Sequence, residues 1–196
     1  PATKATPKVL LPVLDTPLFQ YAIDEARDAG VERMVFVSHP AKAAIEHHVM
    51  QDPALCASLR AKGKADIAEA LEEAGLCSEA DDAVFCMQEQ PLGLGHAVLQ
   101  SRPHVLPGPV AVLLPDDLIL GKPALKEMAQ AYASTDAGHM VATMQVAREE
   151  TKKYGVLDVT AREGQRLKAR GMVEKPDPEF APSRDAVVGR YILDAS

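Results

Sequence analysis

An α/β fold is what this sequence predicts, and three observations carry the prediction. Residues 110–114 are apolar throughout, too hydrophobic for a strand with one wet face, so they belong inside a sheet covered on both sides. A helical pattern over residues 18–29 followed by the apolar run 33–38 makes half of a strand–helix–strand unit. Further runs of the same two kinds follow, separated by glycine and proline. A length of 196 residues suits one domain, or one domain with an excursion, and is enough to bury a core.

Composition narrows the function. A net charge of −7 with a pI near 5.4, and no stripe of Lys and Arg, argues against a nucleic-acid or membrane-surface partner. A phosphorylated ligand would then depend on a few placed cations. Cys56, Cys77 and Cys86 form no CxxC pair, and an odd count fits reduced thiols in a cytoplasm. No apolar run approaches the roughly 18–20 residues that span a bilayer, and no signal-like start is present. The chain opens on Pro1 and stops after a strand at residues 191–196, so residues are expected to be missing on both sides.

Taken in order, residues 9–14 read as extended chain broken by Pro12. Thr16 before Pro17 reads as an N-cap with proline at the first helical position. The helix then turns Leu18, Tyr21, Ala22 and Ala26 inward and closes at Gly30. Residues 41–49 suit a short helix carrying His47 and His48. Neighbouring helical residues point about 100° apart, so a surface reading is preferred to a shared metal. Residues 51–82 are rich in Ala, Glu and Lys with breaks at Gly63 and Gly75, and read as a helical insertion. Strands are expected at 83–88, 139–147, 156–160, 166–174 and 187–193, the last interrupted at Gly189 and Arg190. Helices are expected after Gly95 as far as Ser101 and from Pro123 to about Ser134, the latter with Leu125, Met128, Ala129 and Tyr132 inward.

Three places hold chemistry. Asp116 and Asp117 follow the buried strand, where two carboxylates meet either a divalent metal with phosphate oxygens or a solvated turn or cap. Gly93 and Gly95 precede a helix, so backbone N–H groups there either approach an anion or polar heterocycle or only make a tight turn. Glu174 and Lys175 sit beside Pro176 at a strand end, where an exposed ion pair worth little is the plain alternative.

Four segments, PATKATPK, QPLGLGHAV, LLPDD and VEKP with VVGRY, stand in an order and spacing that resemble the sugar nucleotidyltransferases of the bacterial UTP:glucose-1-phosphate uridylyltransferase type. The likeness extends to LDTPLFQYAIDEARDAG near the start and so covers nearly the whole chain. It implies a Rossmann-like three-layer sandwich with a mixed, mainly parallel sheet, as a single nucleotidyltransferase domain over residues 1–196. The reaction it implies is Mg²⁺-dependent and reversible: UTP and glucose 1-phosphate give UDP-glucose and pyrophosphate. Carried across by position, Lys8 clamps phosphate with Lys4 in the same loop, and Gln90 and the backbone of Gly95 read uracil. Asp116 holds the metal, with Asp117 as its neighbour. Glu174 accepts hydrogen bonds from sugar hydroxyls and Lys175 holds the sugar phosphate, while Gly155 and Gly189 let the main chain approach the sugar. Lys8, Asp116 and Lys175 are the catalytic set, expected around one crevice.

The chemistry is consistent with those roles. Joining two phosphorylated anions needs charge neutralised at the reacting phosphorus, which a metal and lysines supply. No general base is required, because the phosphate oxygen of the sugar phosphate is already ionised; His96 and His104 are accordingly expected to be structural. The family's Gly-x-Gly-Thr-Arg loop is expected before Pro1 and its second metal-binding aspartate beyond Ser196, so little turnover is expected without those flanks. Val9 and Thr16 also depart from residues common in relatives. A related thymidylyltransferase or other sugar-1-phosphate nucleotidyltransferase, or a non-catalytic regulatory homologue, is the alternative. A homo-oligomer is expected.

Overall fold

The computed structural model describes residues 7–38, 43–77, 82–136 and 138–195. These divide into two compact units, Pro1–Val110 with Ala195–Ser196, and Ala111–Asp194.

In the first unit a 3-10 turn, Lys8–Leu10, leads into two short antiparallel strands, β1 (Pro12–Val13) and β2 (Thr16–Pro17). Here the expected cap fails. Thr16 and Pro17 pair with Val13 and Pro12, so helix α1 (Leu18–Asp28) begins one residue later with Pro17 as its N-cap and no side-chain cap bond. The Thr16 hydroxyl donates to Asp15 Oδ1 instead, at 3.1 Å. α1 buries Ala22, Ile23 and Ala26, and with them Gln20 and Glu25. Gln20 Nε2 donates to Asp24 Oδ1 and to the Ala74 carbonyl, at 2.9 and 3.1 Å. Arg27 donates to the carbonyls of Glu73, Ala74 and Gly75 at 3.0–3.2 Å. Together they satisfy carbonyls at the end of the helix over Ala65–Ala74 that the helix leaves unpaired.

Gly30, at φ +76°, turns the chain into β3 (Met34–Ser38), which pairs in parallel with β4 (Ala83–Met87). Phe36 stacks on Phe85 at 4.9 Å between ring centroids, and Phe19 of α1 meets Phe36 at 5.8 Å. Between the strands lie α2 (Ala43–Val49), α3 (Pro53–Ala61) and α4 (Ala65–Ala74). Asp52 caps α3 by accepting from Leu55 N–H at 2.9 Å. Gly63, at φ +74°, takes the turn between α3 and α4, and a bridge between Met50 and Leu76 closes the base of the excursion. Helix α5 (Leu94–Ser101) packs on β3.

The second unit is organised by its last strand. β9 (Asp185–Asp194) is one continuous strand, but its ladder shifts register between Val141↔Tyr191 and Thr143↔Val187, across Gly189 and Arg190, where an interruption was expected. It pairs antiparallel with β6 (His139–Gln145), from His139↔Leu193 to Gln145↔Asp185. It also neighbours β5 (Pro109–Leu113) and β7 (Gly155–Glu163). β7 and β8 (Arg166–Glu174) form a long antiparallel hairpin from Gly155↔Glu174 to Glu163↔Arg166. Helix α6 (Ala124–Tyr132) covers β9 and β6 with Leu125 and Met128 buried. β9 itself buries Ala186, Val187 and Ile192, and also Asp185 and Arg190. Asp185 is matched: its carboxylate accepts from Gln145 Nε2 and Arg162, and its N–H donates to Ser183 Oγ at 3.0 Å. Of the strand pairs whose direction is described, β3–β4 is parallel and β1–β2, β6–β9, β7–β8 and β7–β9 are antiparallel, so the α/β fold is mixed as the sequence predicts, with antiparallel pairs in the majority where a mainly parallel sheet was expected.

Candidate functional site

In the second unit the chain leaves β5 in a four-residue turn, Leu114, Pro115, Asp116 and Asp117. Asp117 N–H donates to the Leu114 carbonyl at 3.2 Å, and Pro115 stands second, where its fixed φ suits the turn. Both carboxylates are exposed at the carboxyl end of the strand. The turn and the ligand-binding readings of this dipeptide are thus compatible: a turn sets the backbone, and it presents the side chains.

That turn is tied to β9. Leu114 N–H donates to the Gly189 carbonyl and Gly189 N–H to Asp117 Oδ2, both at 2.8 Å. Arg190, 2% exposed, donates through Nη1 to the Leu114 and Gly189 carbonyls at 3.1 and 2.9 Å, and through Nη2 to the Asp117 carbonyl at 3.1 Å. Sequence reasoning gave Arg190 no role, since a lone arginine in a strand is ordinarily exposed. A Cβ on Gly189 would stand 2.5 Å from Leu114 Cβ and 2.6 Å from Asp117 Oδ2.

Glu174 ends β8 in the same unit and Lys175 follows it. Their side chains form an ion pair at 3.2 Å, exposed on both partners and therefore of little stabilising value. Lys175 adopts φ +47°, a conformation costing a non-glycine residue about 1–3 kcal/mol, and its N–H donates to the Tyr154 carbonyl at 2.9 Å. Gly155 faces Glu174 across the ladder. A Cβ there would meet Met172 Sδ at 2.6 Å and Glu174 Oε2 at 3.3 Å. Tyr191 joins this neighbourhood: burial, then the negative charges of Asp117 and Glu174, push its phenol up. Glycine at 155 and 189 is thus already required by the protein's own side chains.

In the first unit α5 begins at Leu94, two residues earlier than expected, so Gly95 falls inside its first turn and Gly93 is the N-cap with φ +96°. As second helical residue, Gly95 carries one of the leading N–H groups for which a helix has no internal acceptor. The loop before it is braced. Gln88 Nε2 donates to the Gly93 carbonyl at 3.2 Å and meets His96 Nδ1 at 2.9 Å. Gln100 Nε2 stands 3.1 Å from His96 Nε2; an amide nitrogen only donates and a neutral imidazole accepts at one ring nitrogen, so His96 accepts from one of the two amides and not from both. The structural role expected of His96 fits this bracing, and the His104 carbonyl accepts from Arg33 at 3.0 Å. Gln90 is exposed in the loop, and Lys8 is exposed in the opening 3-10 turn. Lys4 lies outside the described residues. His47 is exposed. His48 is half-buried and its Nε2 lacks a hydrogen-bond partner among the described residues.

For a metal, the relevant donors are the exposed carboxylate oxygens of the 114–117 turn. These are hard ligands of the kind Mg²⁺ takes, one or two carboxylates completed by substrate phosphates and water instead of an all-protein cage. Asp116 fits that use by its exposure, and Asp117 Oδ2 accepts from Gly189 N–H.

Comparison with known proteins agrees along the whole chain. The model of the nucleotidyl transferase family matches residues 1–196. A UTP–glucose-1-phosphate uridylyltransferase of Bacillus subtilis is 40% identical over 194 residues, 98% of this chain and 65% of the relative. The chain therefore spans just under two thirds of that relative's length. Among solved structures, UDP-glucose pyrophosphorylase from Acinetobacter baumannii superposes with a TM-score of 0.89 at 35% identity, covering 98% of this chain and 68% of that one. A UTP-bound structure from the same organism gives 0.87 at 36% identity, with the same coverage. The fold is accordingly the Rossmann-like one of nucleotide-sugar transferases. On these grounds the chain belongs to the nucleotidyl transferase family.

Proposed function

We propose that this chain is the nucleotidyl-transfer region of a UTP:glucose-1-phosphate uridylyltransferase, forming UDP-glucose and pyrophosphate in the cytoplasm as a homo-oligomer. The observation that carries the reading is the exposed Asp116 carboxylate on a turn held to β9, the strand that also bears Tyr191. Similarity to the uridylyltransferases supports it. An odd count of three cysteines suits a reducing compartment, and no helix among the described residues is long and apolar enough to cross a membrane.

In this reading an ionised phosphate oxygen of glucose 1-phosphate attacks the α-phosphorus of UTP. A new P–O bond forms as the bond to the bridging α–β oxygen breaks, and pyrophosphate leaves with the electron pair. The chain's contribution is positioning and charge. Lys8, with Lys4, would neutralise nucleotide phosphates, and Lys175 the sugar phosphate. Uracil presents a donor and an acceptor at fixed spacing, which the Gln90 amide and the free N–H of Gly95 would match. Glu174 would accept from sugar hydroxyls, and Gly155 and Gly189 serve by letting Glu174 and Asp117 come close. Mg²⁺ bound at Asp116 would polarise the phosphoryl oxygens.

Incubating the intact protein with UTP, glucose 1-phosphate and Mg²⁺ should release pyrophosphate. Turnover with dTTP and silence with UTP would replace the nucleotide assignment, and binding without turnover would make the protein a regulatory homologue. Asp116→Asn should abolish metal-dependent turnover with the fold intact. Glu174→Ala should raise KM for glucose 1-phosphate far more than for UTP.

A further inference from the structure

We infer that Arg190 is a positioning residue for this reaction: it fixes where the Asp116 carboxylate stands by holding both ends of the turn that carries it. The inference rests on the reading above for the use of Asp116, and on geometry alone for the hold.

A guanidinium 2% exposed in the middle of β9 has lost its water, which is costly for an ion. Stability is a weak reason to keep it, since a well-packed apolar side chain of that size often does as well or better. What it does that an apolar chain cannot is span two carbonyls with a rigid planar fork. Those carbonyls belong to Leu114 and Asp117, the first and fourth residues of the turn. Two more bonds run alongside, Leu114 N–H to the Gly189 carbonyl and Gly189 N–H to Asp117 Oδ2. The missing Cβ of Gly189 is what lets β9 lie this close. Asp116 is the third residue of the turn, so its backbone cannot shift unless one of these ties breaks. Residues that orient a metal ligand in this way typically matter by about 10- to 100-fold in metal affinity.

Two tests bear on it. In the intact wild-type protein without ligands, the amides of Asp117 and Gly189 should exchange with deuterium as slowly as those of the buried β9 core. Fast exchange there, slowed only by Mn²⁺ with UTP, would show that the ligands and not Arg190 set the turn, and would overturn the inference. Arg190→Lys keeps the charge and loses the fork. Mn²⁺ binding to the UTP complex, read as free Mn²⁺ by electron paramagnetic resonance, should weaken about 10- to 100-fold in this variant. In an Asp116→Asn background the same substitution should change Mn²⁺ binding little, because both changes act through one carboxylate. Unaltered binding in folded Arg190→Lys, or full additivity with Asp116→Asn, would overturn it. Neither measurement uses turnover, so a wild-type protein that fails to make UDP-glucose would sink the proposed activity and leave the hold testable.

Discussion

The glycines of the two units do opposite jobs. In the loop that opens α5, a Cβ added to Gly93 or Gly95 would find nothing within 4 Å. In the second unit, a Cβ on Gly155 or Gly189 would run into the protein's own side chains at 2.5–2.6 Å. Where glycine faces open space, its value lies in backbone conformation or in what arrives from outside. Where the space is filled, its value is internal packing, and the residue says nothing of a ligand by itself. The supports differ in the same sense. The loop is braced by the half-buried side chains Gln88 and His96, and the 114–117 turn by a buried guanidinium and main-chain bonds.

Gly189→Ala should therefore have the largest effect. The added methyl meets Leu114 Cβ and Asp117 Oδ2, neither at the end of a long flexible chain, so β9 and the turn must part. Overpacking of this kind costs about 1–3 kcal/mol, read by urea denaturation, and Mn²⁺ binding should fall with it. A variant as stable as wild type would mean that the turn yields easily, and the contrast between the units would go.

Gly93→Ala comes next. The obstacle is conformational, because φ +96° with ψ −180° is an essentially glycine-only region that costs other residues about 1–3 kcal/mol. The loss of stability should be accompanied by a rise in KM for UTP, with KM for glucose 1-phosphate unaffected. Gly95→Ala should run the other way on stability. In an open position inside a helix, alanine gains about 0.5–1 kcal/mol over glycine. If uracil rests against that backbone, UTP affinity should nevertheless drop; a more stable protein with unchanged UTP binding would remove Gly95 from the base site.

Much of this arrangement can be read from the chain, for local reasons. Five consecutive apolar residues before a proline specify a strand and a turn without help from elsewhere, and β5 with its turn follows, but among the described residues β5 stands at an end of its sheet and is half-buried, not covered on both sides as expected. Gly30 and Gly63 mark ends that positive φ demands. The failures come where distant partners decide. Thr16 carries a sound cap signal, yet pairing with Val13 across a short ladder takes its backbone out of reach. Arg190 and Asp185 received no role, because nothing near them in sequence shows that they are buried or that Leu114, Asp117, Gln145 and Arg162 will satisfy them. The glycines at 155 and 189 could be spotted as close approaches, but which atoms approach is a tertiary fact.

The last contrast concerns buried polar groups. Arg190 and Asp185 are matched, whereas in the first unit His48 Nε2 has no hydrogen-bond partner among the described residues. Burial pushes the His48 imidazole below its ordinary 6.5, so below about pH 6.5 the unfolded chain takes up the proton more readily than the folded one. His48 thus withdraws stability as pH falls through that value, and the loss levels off once the folded imidazole titrates too. Above it the ring is neutral in both states and has no pH-dependent effect. Melting temperatures of wild type and His48→Leu, compared from about pH 8 to about pH 5, should diverge only on the acid side, with wild type losing more. The difference is the smallest here, because the ring is only half-buried. A wild type that instead gains on the variant in acid would mean that the protonated ring finds an acceptor in the fold, and His48 would then join Arg190 and Asp185 among the matched groups.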